Sequence, residues 1–368
     1  MKISLVFIGT TGAGPVYSFE MAKALAADQR CQLQVIISKN VSNLDVWKNT
    51  FDNGQVDFHI VKTYDRNKLS VLLNTFNLAR KYRLYALIKA FHPDVVYSPF
   101  TLLWERFLFG MMHNKAHIVK TIHDLTLHDS YRNIGDFMTN VLNWGSMHYV
   151  DSVILLNHKD QPIAEQRYHL PTAVIPHASF SYYAPNDDRS NFHIKKTIAF
   201  IGRIEPYKGL GLLIEAYKKL KTTDVKLIIA GSGKIEDNLL NSIKAKRNIE
   251  LINRYIEDSE FQDIFRRTDF VILPYKRASQ SGVIPLCFAN RQPVVATNVG
   301  AIAEQVPEGT GVIVTPSAEE IAKAIDMLYE HQELIRLYGQ AAYDYAQSQL
   351  TWESSADLLI KHLEAVAK

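Results

Sequence analysis

The sequence predicts an α/β protein built from two doubly wound parallel sheets, and three observations carry that prediction. Short apolar runs alternate with amphipathic stretches of helical period along the whole chain, the pattern of parallel strands wrapped by helices. At 368 residues the chain exceeds one ordinary domain and fits two, each able to bury a core. Charge then divides the halves. Residues 1–184 hold 18 Lys/Arg and 14 Asp/Glu, a balance of +4, while the remainder hold 23 and 24, a balance of −1. The first half also carries ten of the thirteen histidines and only three glutamates.

In chain order, the expected strands of the first half are Ile3–Gly9, Leu33–Ser38, Val56–Val61, Asp94–Ser98, Ile118–His123, Ser152–Leu156 and Ala173–Pro176. Those of the second half are Thr197–Gly202, Val225–Gly231, Ile249–Ile252, Phe270–Tyr275, Pro293–Thr297 and Gly311–Thr315. Each is a β-branched or aromatic run bounded by turn residues. Helix starts are marked chemically: Pro15 follows Gly14 at a first-turn position, and Ser317-Ala318-Glu319-Glu320 reads as a capping box before Ile321–Tyr329. The polar segment Ser181–Asn191, with Pro185 and Asp187-Asp188, reads as a linker. The expected domains are residues 1–180 and 181–345, two Rossmann-like units facing across a cleft.

Composition excludes several classes. Hydrophobic residues at 47% and charged residues at 21% describe a folded, soluble chain. Cys31 and Cys287 offer neither a disulfide framework nor a metal spacing, which suits a reducing compartment. The apolar start Ile3–Gly9 is too brief for a leader and lacks a cleavage site, so it reads as a buried strand. Phe100–Met112 is interrupted by Glu105 and Arg106 and is too short to span a bilayer. A cytoplasmic location is expected. The net charge of +3 is too small to imply a nucleic-acid partner.

In doubly wound sheets, ligands bind beyond the carboxyl ends of the strands. The first strand runs into Gly9-Thr10-Thr11-Gly12-Ala13-Gly14, whose spacing is not that of a dinucleotide site and which lacks the acidic partner about twenty residues on. It lets backbone approach a ligand at a helix start, or it is a tight turn. Thr121-Ile122-His123-Asp124 ends another strand and can offer the His123 imidazole as a donor to sugar or phosphate. His128, His148 and His177 lack such a context and read as surface or packing residues. Phe200–Leu213 carries two cations, Arg203 and Lys208, between a strand end and a helix opening near Leu210. Helix-start amides and a positive helix end already favour an anion there, and the two cations suit linked phosphates. Val225–Gly231 runs into Ser232-Gly233-Lys234, a glycine turn that lies beside a nucleoside or serves as a plain loop. Between Pro274 and Asn290 a hydroxyl- and amide-rich loop leads into an apolar helix, and the amides of Ser281, Gly282 and Val283 are expected to face outward. No nucleophile elbow, H-E-x-x-H or Walker lysine loop occurs, against hydrolases and kinases. No Asp-x-Asp occurs either, so no metal is expected.

The ordered set G-R-I-E-P-Y-K-G (202–209), L-L-I-E-A-Y (212–217) and P-V-V-A-T-N-V-G-A-I-A-E (293–304) closely resembles the second domain of retaining, nucleotide-sugar-dependent glycosyltransferases of family 4. The resemblance extends to Gly9–Gly14, Thr121–Asp124, Val174–His177 and Trp352. It implies the GT-B architecture, with the final segment, residues 346–368, packing back on the first domain. It further implies that Arg203 and Lys208 hold the donor diphosphate and stabilise charge on the leaving nucleotide. Gly12 and Gly14 would approach the diphosphate or acceptor, His123 the donor sugar, and Gln280, Ser281, Gly282, Val283 and Glu304 the donor. Gly231, Ser232, Gly233 and Tyr255 would lie at the nucleoside. The family's two glutamates, eight positions apart, read here as Ser279 and Cys287, a departure at the sugar and ribose. The S-Q-S-G-V wording resembles a variant of bacterial surface-polysaccharide enzymes.

The implied activity is transfer of a sugar from a nucleotide diphosphate donor to a glycan or polyprenol-linked acceptor, with retention and without a cofactor. The acceptor leaves its proton on the departing phosphate, so the paired carboxylates of glycosidases are not needed. The segment Arg66–Phe91 interleaves Arg66, Lys68, Arg80, Lys81, Arg83 and Lys89 with aromatic and aliphatic residues, which suits either an anionic membrane surface or a solvated helix face. The alternatives are a non-catalytic subunit supporting a partner enzyme, for which the absent glutamates speak, and a sugar-nucleotide epimerase, which needs cleft carboxylates the sequence does not supply.

Overall fold

The computed structural model describes residues 1–64, 74, 76–125, 145–179 and 193–366. It divides into two compact units, Met1–Pro176 with Trp352–Lys368, and His177–Thr351. The expected linker Ser181–Asn191 lies outside the described residues, as do His128, Arg66 and Lys68. Among the described residues no helix is long and apolar enough to cross a membrane.

The first unit holds strands β1 (Lys2–Phe7), β2 (Gln32–Ser38), β3 (Asp57–Val61), β4 (Val95–Ser98), β5 (His117–Ile122), β6 (Ser152–Leu155) and β7 (Thr172–Val174). They form one sheet in the order β3-β2-β1-β4-β5-β6-β7, all paired in parallel. β1 lies centrally and is buried from Ile3 to Phe7, because helices cover both faces and leave no polar side to alternate with. The helix Gly14–Ala27 buries Tyr17, Phe19, Met21 and Leu25. The last helix, Trp352–Val366, packs on it, with the Tyr17 and Trp352 rings edge-to-face at 5.0 Å. Glu105, which interrupts an apolar run in sequence, is fully buried and ion-paired to Lys120 at 2.7 Å, with its other oxygen accepting from Leu102 N. A buried carboxylate is tolerated there because each oxygen has a donor.

The second unit holds β8 (Thr197–Ile201), β9 (Lys226–Ala230), β10 (Ile249–Ile252), β11 (Phe270–Leu273), β12 (Val294–Thr297) and β13 (Gly311–Val314), in the order β10-β9-β8-β11-β12-β13. Pairing is again parallel throughout. The buried Asp269, preceding β11, accepts from Lys195 N and Thr197 N and from the Tyr329 hydroxyl, which ties it to the start of β8. Of the expected capping box only half forms. Ser317 Oγ accepts from Glu320 N at 3.2 Å, but Ser317 N is bonded to Thr315 O and the Glu320 carboxylate pairs with Lys323.

Both sheets therefore reverse direction at the same place, between the first strand and the fourth. The loops that leave those two strands at their carboxyl ends are neighbours; Gly12, Gly14, Arg203, Lys208 and Gln280–Val283 lie on them, whereas His123, Gly231–Gly233, Tyr255 and Glu304 follow other strands.

Candidate functional site

In the second unit the two loops follow β8 and β11. Leaving β8, the chain passes Gly202 (φ 121°) and the exposed Arg203, which makes no ion pair among the described residues. A short helical turn, Pro206–Lys208, ends at Gly209, whose φ of 74° turns the chain into the helix Leu210–Lys218. A Cβ on Gly209 would stand 1.8 Å from Pro274 O, so only glycine permits this approach. Lys276 N donates to Tyr207 O at 2.7 Å and closes the junction.

That contact places Lys208 on an aromatic platform. Its Nζ lies 3.9 Å from the centroid of the Tyr275 ring and 5.4 Å from that of Tyr207. A ring face attracts an ammonium electrostatically and fixes its height above the loop. Tyr275 is fully buried, burial pushes its hydroxyl well above the ordinary range, and that hydroxyl lies 3.0 Å from Ser281 Oγ. Thr297 Oγ1 donates to Tyr275 O at 2.6 Å from the next strand.

The loop after β11 corrects one expectation. The amides of Ser281, Gly282 and Val283 do not all face outward: Ser281 N donates to Gln305 Oε1 at 2.7 Å, and Val283 N to Ser281 Oγ at 3.3 Å. Gln305 Nε2 also donates to Ser281 O, so one side chain clamps this peptide from both sides. Ser281 is 2% exposed, so its amide needs a partner within the protein, which Gln305 supplies. Gln280 Oε1, by contrast, is buried with no partner among the described residues. A Cβ on Gly282 would stand 3.7 Å from His177 Nε2. His177 is thus a buried neighbour of this turn, its Nδ1 donating to Ala178 O at 2.8 Å and its pKa lowered by burial. His148, by contrast, is exposed.

Glu304 is exposed beside Gln305, and its charge helps raise the pKa of the Tyr345 hydroxyl, after burial. Cys287 is buried in the core among Ile284, Phe288 and Leu273, its thiol pushed up by burial, so this position presents no group to a ligand. The Gly231–Gly233 turn is explained by packing. A Cβ on Gly231 would lie 1.9 Å from Gly202 O, and one on Gly233 2.0 Å from Ile204 O. Ile204 N donates to Ser232 O, extending the β8–β9 pairing past the strand ends. Tyr255 stands 68% exposed, two residues beyond Asn253, whose amide brackets Gly233 through bonds of 3.1 and 3.0 Å.

In the first unit the corresponding loops follow β1 and β4. Gly12 is exposed with φ 86° and open space around it, whereas Gly14 is buried: a Cβ there would lie 2.9 Å from the Phe7 ring and 3.4 Å from Phe100. Gly14 thus serves packing, and the open position is Gly12. His123, just beyond β5, stacks on Phe100 at 3.7 Å between centroids and meets Tyr17 edge-on at 4.6 Å. Its Nε2 lies 2.9 Å from Pro99 O and must donate, since a carbonyl only accepts. In the neutral ring the proton therefore sits on Nε2 and is held by the Pro99 carbonyl. Beneath it the buried Tyr97 hydroxyl lies 2.8 Å from Thr121 Oγ1.

Sequence reasoning missed Tyr275, Gln305 and Phe100; of the two readings it left for His177, surface or packing, the burial of the ring selects packing. Tyr275 and Phe100 follow strand ends and were legible as such. Gln305 carries no local signal, because its partner is 24 residues away.

Residues 195–331 match the family model described as glycosyl transferases group 1. A D-inositol 3-phosphate glycosyltransferase of Corynebacterium aurimucosum is 28% identical over 207 residues, 50% of this chain and 49% of that protein. The chain spans about half the length of such curated relatives. Among solved structures, a glycosyltransferase of Rickettsia africae superposes with a TM-score of 0.72 at 19% identity, covering 100% of this chain and 98% of that one. Anabaena HepE, solved with UDP and with UDP-glucose, superposes with TM-scores of 0.70 and 0.69 at 16% identity, covering 99% of this chain and 100% of that one. With two parallel α/β units that share the strand order 3-2-1-4-5-6, the chain has the GT-B fold of these solved structures, and residues 195–331 match the glycosyl transferases group 1 model.

Proposed function

We propose that the protein is a retaining glycosyltransferase that moves a sugar from a nucleoside diphosphate donor to a glycan or polyprenol-linked acceptor of a bacterial surface polysaccharide. The observation that carries this reading is the ammonium of Lys208, held on the Tyr275 ring in the same turn as Arg203, which makes no ion pair among the described residues. Two cations beyond the carboxyl end of the sheet's central strand suit a diphosphate whose charge grows as its bond to the sugar breaks. Complexes of Anabaena HepE with UDP and UDP-glucose support a nucleoside diphosphate as the ligand class. The acceptor hydroxyl attacks on the face the nucleotide leaves and passes its proton to the departing phosphate oxygen. No protein nucleophile and no metal enters this scheme. Gln280 Oε1, a buried atom with no partner among the described residues, would accept from a donor-sugar hydroxyl.

The acceptor half suits the inner face of an anionic membrane. Phe76, Leu78 and Tyr82 are exposed at 71%, 65% and 59%, beside the exposed Arg83 and Lys89. Arg80 and Lys81 are engaged locally, by Thr63 O and the Phe107 ring.

The test is a thermal-shift screen against UDP, GDP, ADP, dTDP and CMP, with Arg203→Ala and Lys208→Ala variants. One diphosphate should raise the melting temperature of the native protein by mass action, and each variant should lose that shift and most turnover. Near-normal turnover in both variants would sink the diphosphate assignment. No shift with any nucleotide would favour the non-catalytic reading, to which the buried Cys287 lends some support.

A further inference from the structure

At the amino ends of the strands in the second unit, opposite the loops described above, lies a cavity of about 380 Å³. Its floor is formed by the starts of β8, β9 and β10, at Thr197, Lys226–Ile228 and Asn248–Glu250. Five cations ring it: Lys195, Lys226, Arg247, Arg266 and Arg267, against the single carboxylate of Glu250. All five are exposed. Arg267 is engaged by Glu250 and by Asp263. Lys226, Arg247 and Arg266 make no ion pair among the described residues.

Residues 185–368 carry a net charge of −1, so this concentration is local and not a general basicity of the unit. Helix polarity explains part of it. Arg266 and Arg267 end the helix Asp258–Arg267, where a cation offsets the negative helix end. Lys195, Lys226 and Arg247 lie on strand starts and connecting turns, and no helix end accounts for them. Like charges converging on a concave surface repel, and the surface keeps them at a cost that a bound anion would remove. The cavity is at the small end of the ligand-pocket range of roughly 300–1,000 Å³ and wider than one phosphate needs.

We propose that this face is a second anion site, distinct from the donor site, that takes a ligand carrying more than one phosphate charge. The source is a free polyphosphorylated molecule or a phosphorylated lipid headgroup, and the two share this chemistry.

The probe is inorganic tripolyphosphate, titrated calorimetrically into the full chain carrying Arg203→Ala and Lys208→Ala, so that the donor site does not contribute. Saturable 1:1 binding that weakens with salt is expected, and Arg247→Glu with Arg266→Glu should weaken it at least about tenfold. The milder Arg247→Gln, Arg266→Gln pair should give an intermediate loss with an unchanged melting temperature, which separates lost charge from lost fold. In parallel, co-sedimentation is measured with phosphatidylcholine vesicles with and without phosphatidic acid. Capture by phosphatidic acid vesicles that the charge reversals abolish assigns a headgroup. Tripolyphosphate binding without vesicle capture assigns a free ligand. Absence of both, or binding that the reversals leave unchanged, would overturn the proposal.

Discussion

Tyr275 shows how much of a site can rest on one buried side chain. Its ring carries the Lys208 ammonium, its hydroxyl reaches Ser281, and its carbonyl accepts from Thr297, so the loop after β8, the turn at Ser281 and the end of β12 meet on one residue. A buried cation–π contact contributes about 0.5–2 kcal/mol, equivalent to roughly 2- to 30-fold in an affinity that depends on the cation. Tyr275→Leu should therefore weaken nucleoside diphosphate binding by about that factor and lower turnover. Tyr275→Phe keeps the platform and should bind within about twofold of native while losing about 1 kcal/mol of stability with the Ser281 hydrogen bond. Titration of both variants with the diphosphate, alongside their urea midpoints, separates the two effects. Equal losses of affinity would show that the ring does not position Lys208. The sequence disclosed Lys208 because two cations before a helix are a local pattern, whereas its platform lies 67 residues on and emerges only from sheet topology. The same limit hid Gln305, whose clamp on Ser281 needs two strand-end loops to be neighbours. It also let the amides of Ser281 and Val283 be read as outward-facing when Gln305 Oε1 and Ser281 Oγ already hold them.

At the scale of elements, strand positions were legible because buried parallel strands are nearly continuous apolar runs, and every expected strand has its counterpart within two residues at either end. What the pattern could not distinguish was the purpose of each glycine. Gly209 and Gly12 both adopt a left-handed backbone, at φ 74° and 86°, yet a Cβ on Gly209 meets Pro274 O while one on Gly12 meets nothing. Gly12→Ala should thus cost only the conformational term of about 1–2 kcal/mol. Gly209→Ala adds a backbone collision that can be relieved only by parting the loops after β8 and β11, so its cost should exceed roughly 3 kcal/mol, with loss of the Lys208 site. Chemical denaturation of both variants checks the order. A Gly209→Ala protein as stable as Gly12→Ala would mean that the loop junction yields cheaply, and the platform argument would weaken with it. Gly231 and Gly202 form a second such junction, between the loops after β8 and β9. The loops that bear the candidate residues are thereby fixed to one another by backbone contact and not by side chains alone.

Across the whole molecule, each unit holds a histidine with a lowered pKa: the buried His177 in the second, by desolvation, and the half-buried His362 on the last helix of the first, by desolvation and then by the charge of His117. A histidine whose folded pKa lies below its unfolded value of about 6.5 binds fewer protons folded than unfolded. Stability then rises with pH through that window, and the stabilisation of the neutral ring is complete above about pH 6.5 and lost progressively below it. The distribution of tryptophan makes the two units separable. All four tryptophans, Trp47, Trp104, Trp144 and Trp352, belong by position to the first unit. Indole fluorescence therefore follows the first unit alone, whereas far-ultraviolet dichroism follows both. In urea unfolding between pH 5 and 7.5, the native protein should lose stability towards acid by both probes. His362→Gln should flatten that slope in fluorescence. His177→Gln should flatten it only in the dichroism transition that fluorescence does not track. A slope unchanged by His177→Gln would mean that the ring beside Gly282 is protonated without penalty, and that the turn is open enough to hydrate it. The turn bearing Gln280 and Ser281 would then be a wet surface loop, which would remove the reason for its buried oxygen to await a sugar hydroxyl.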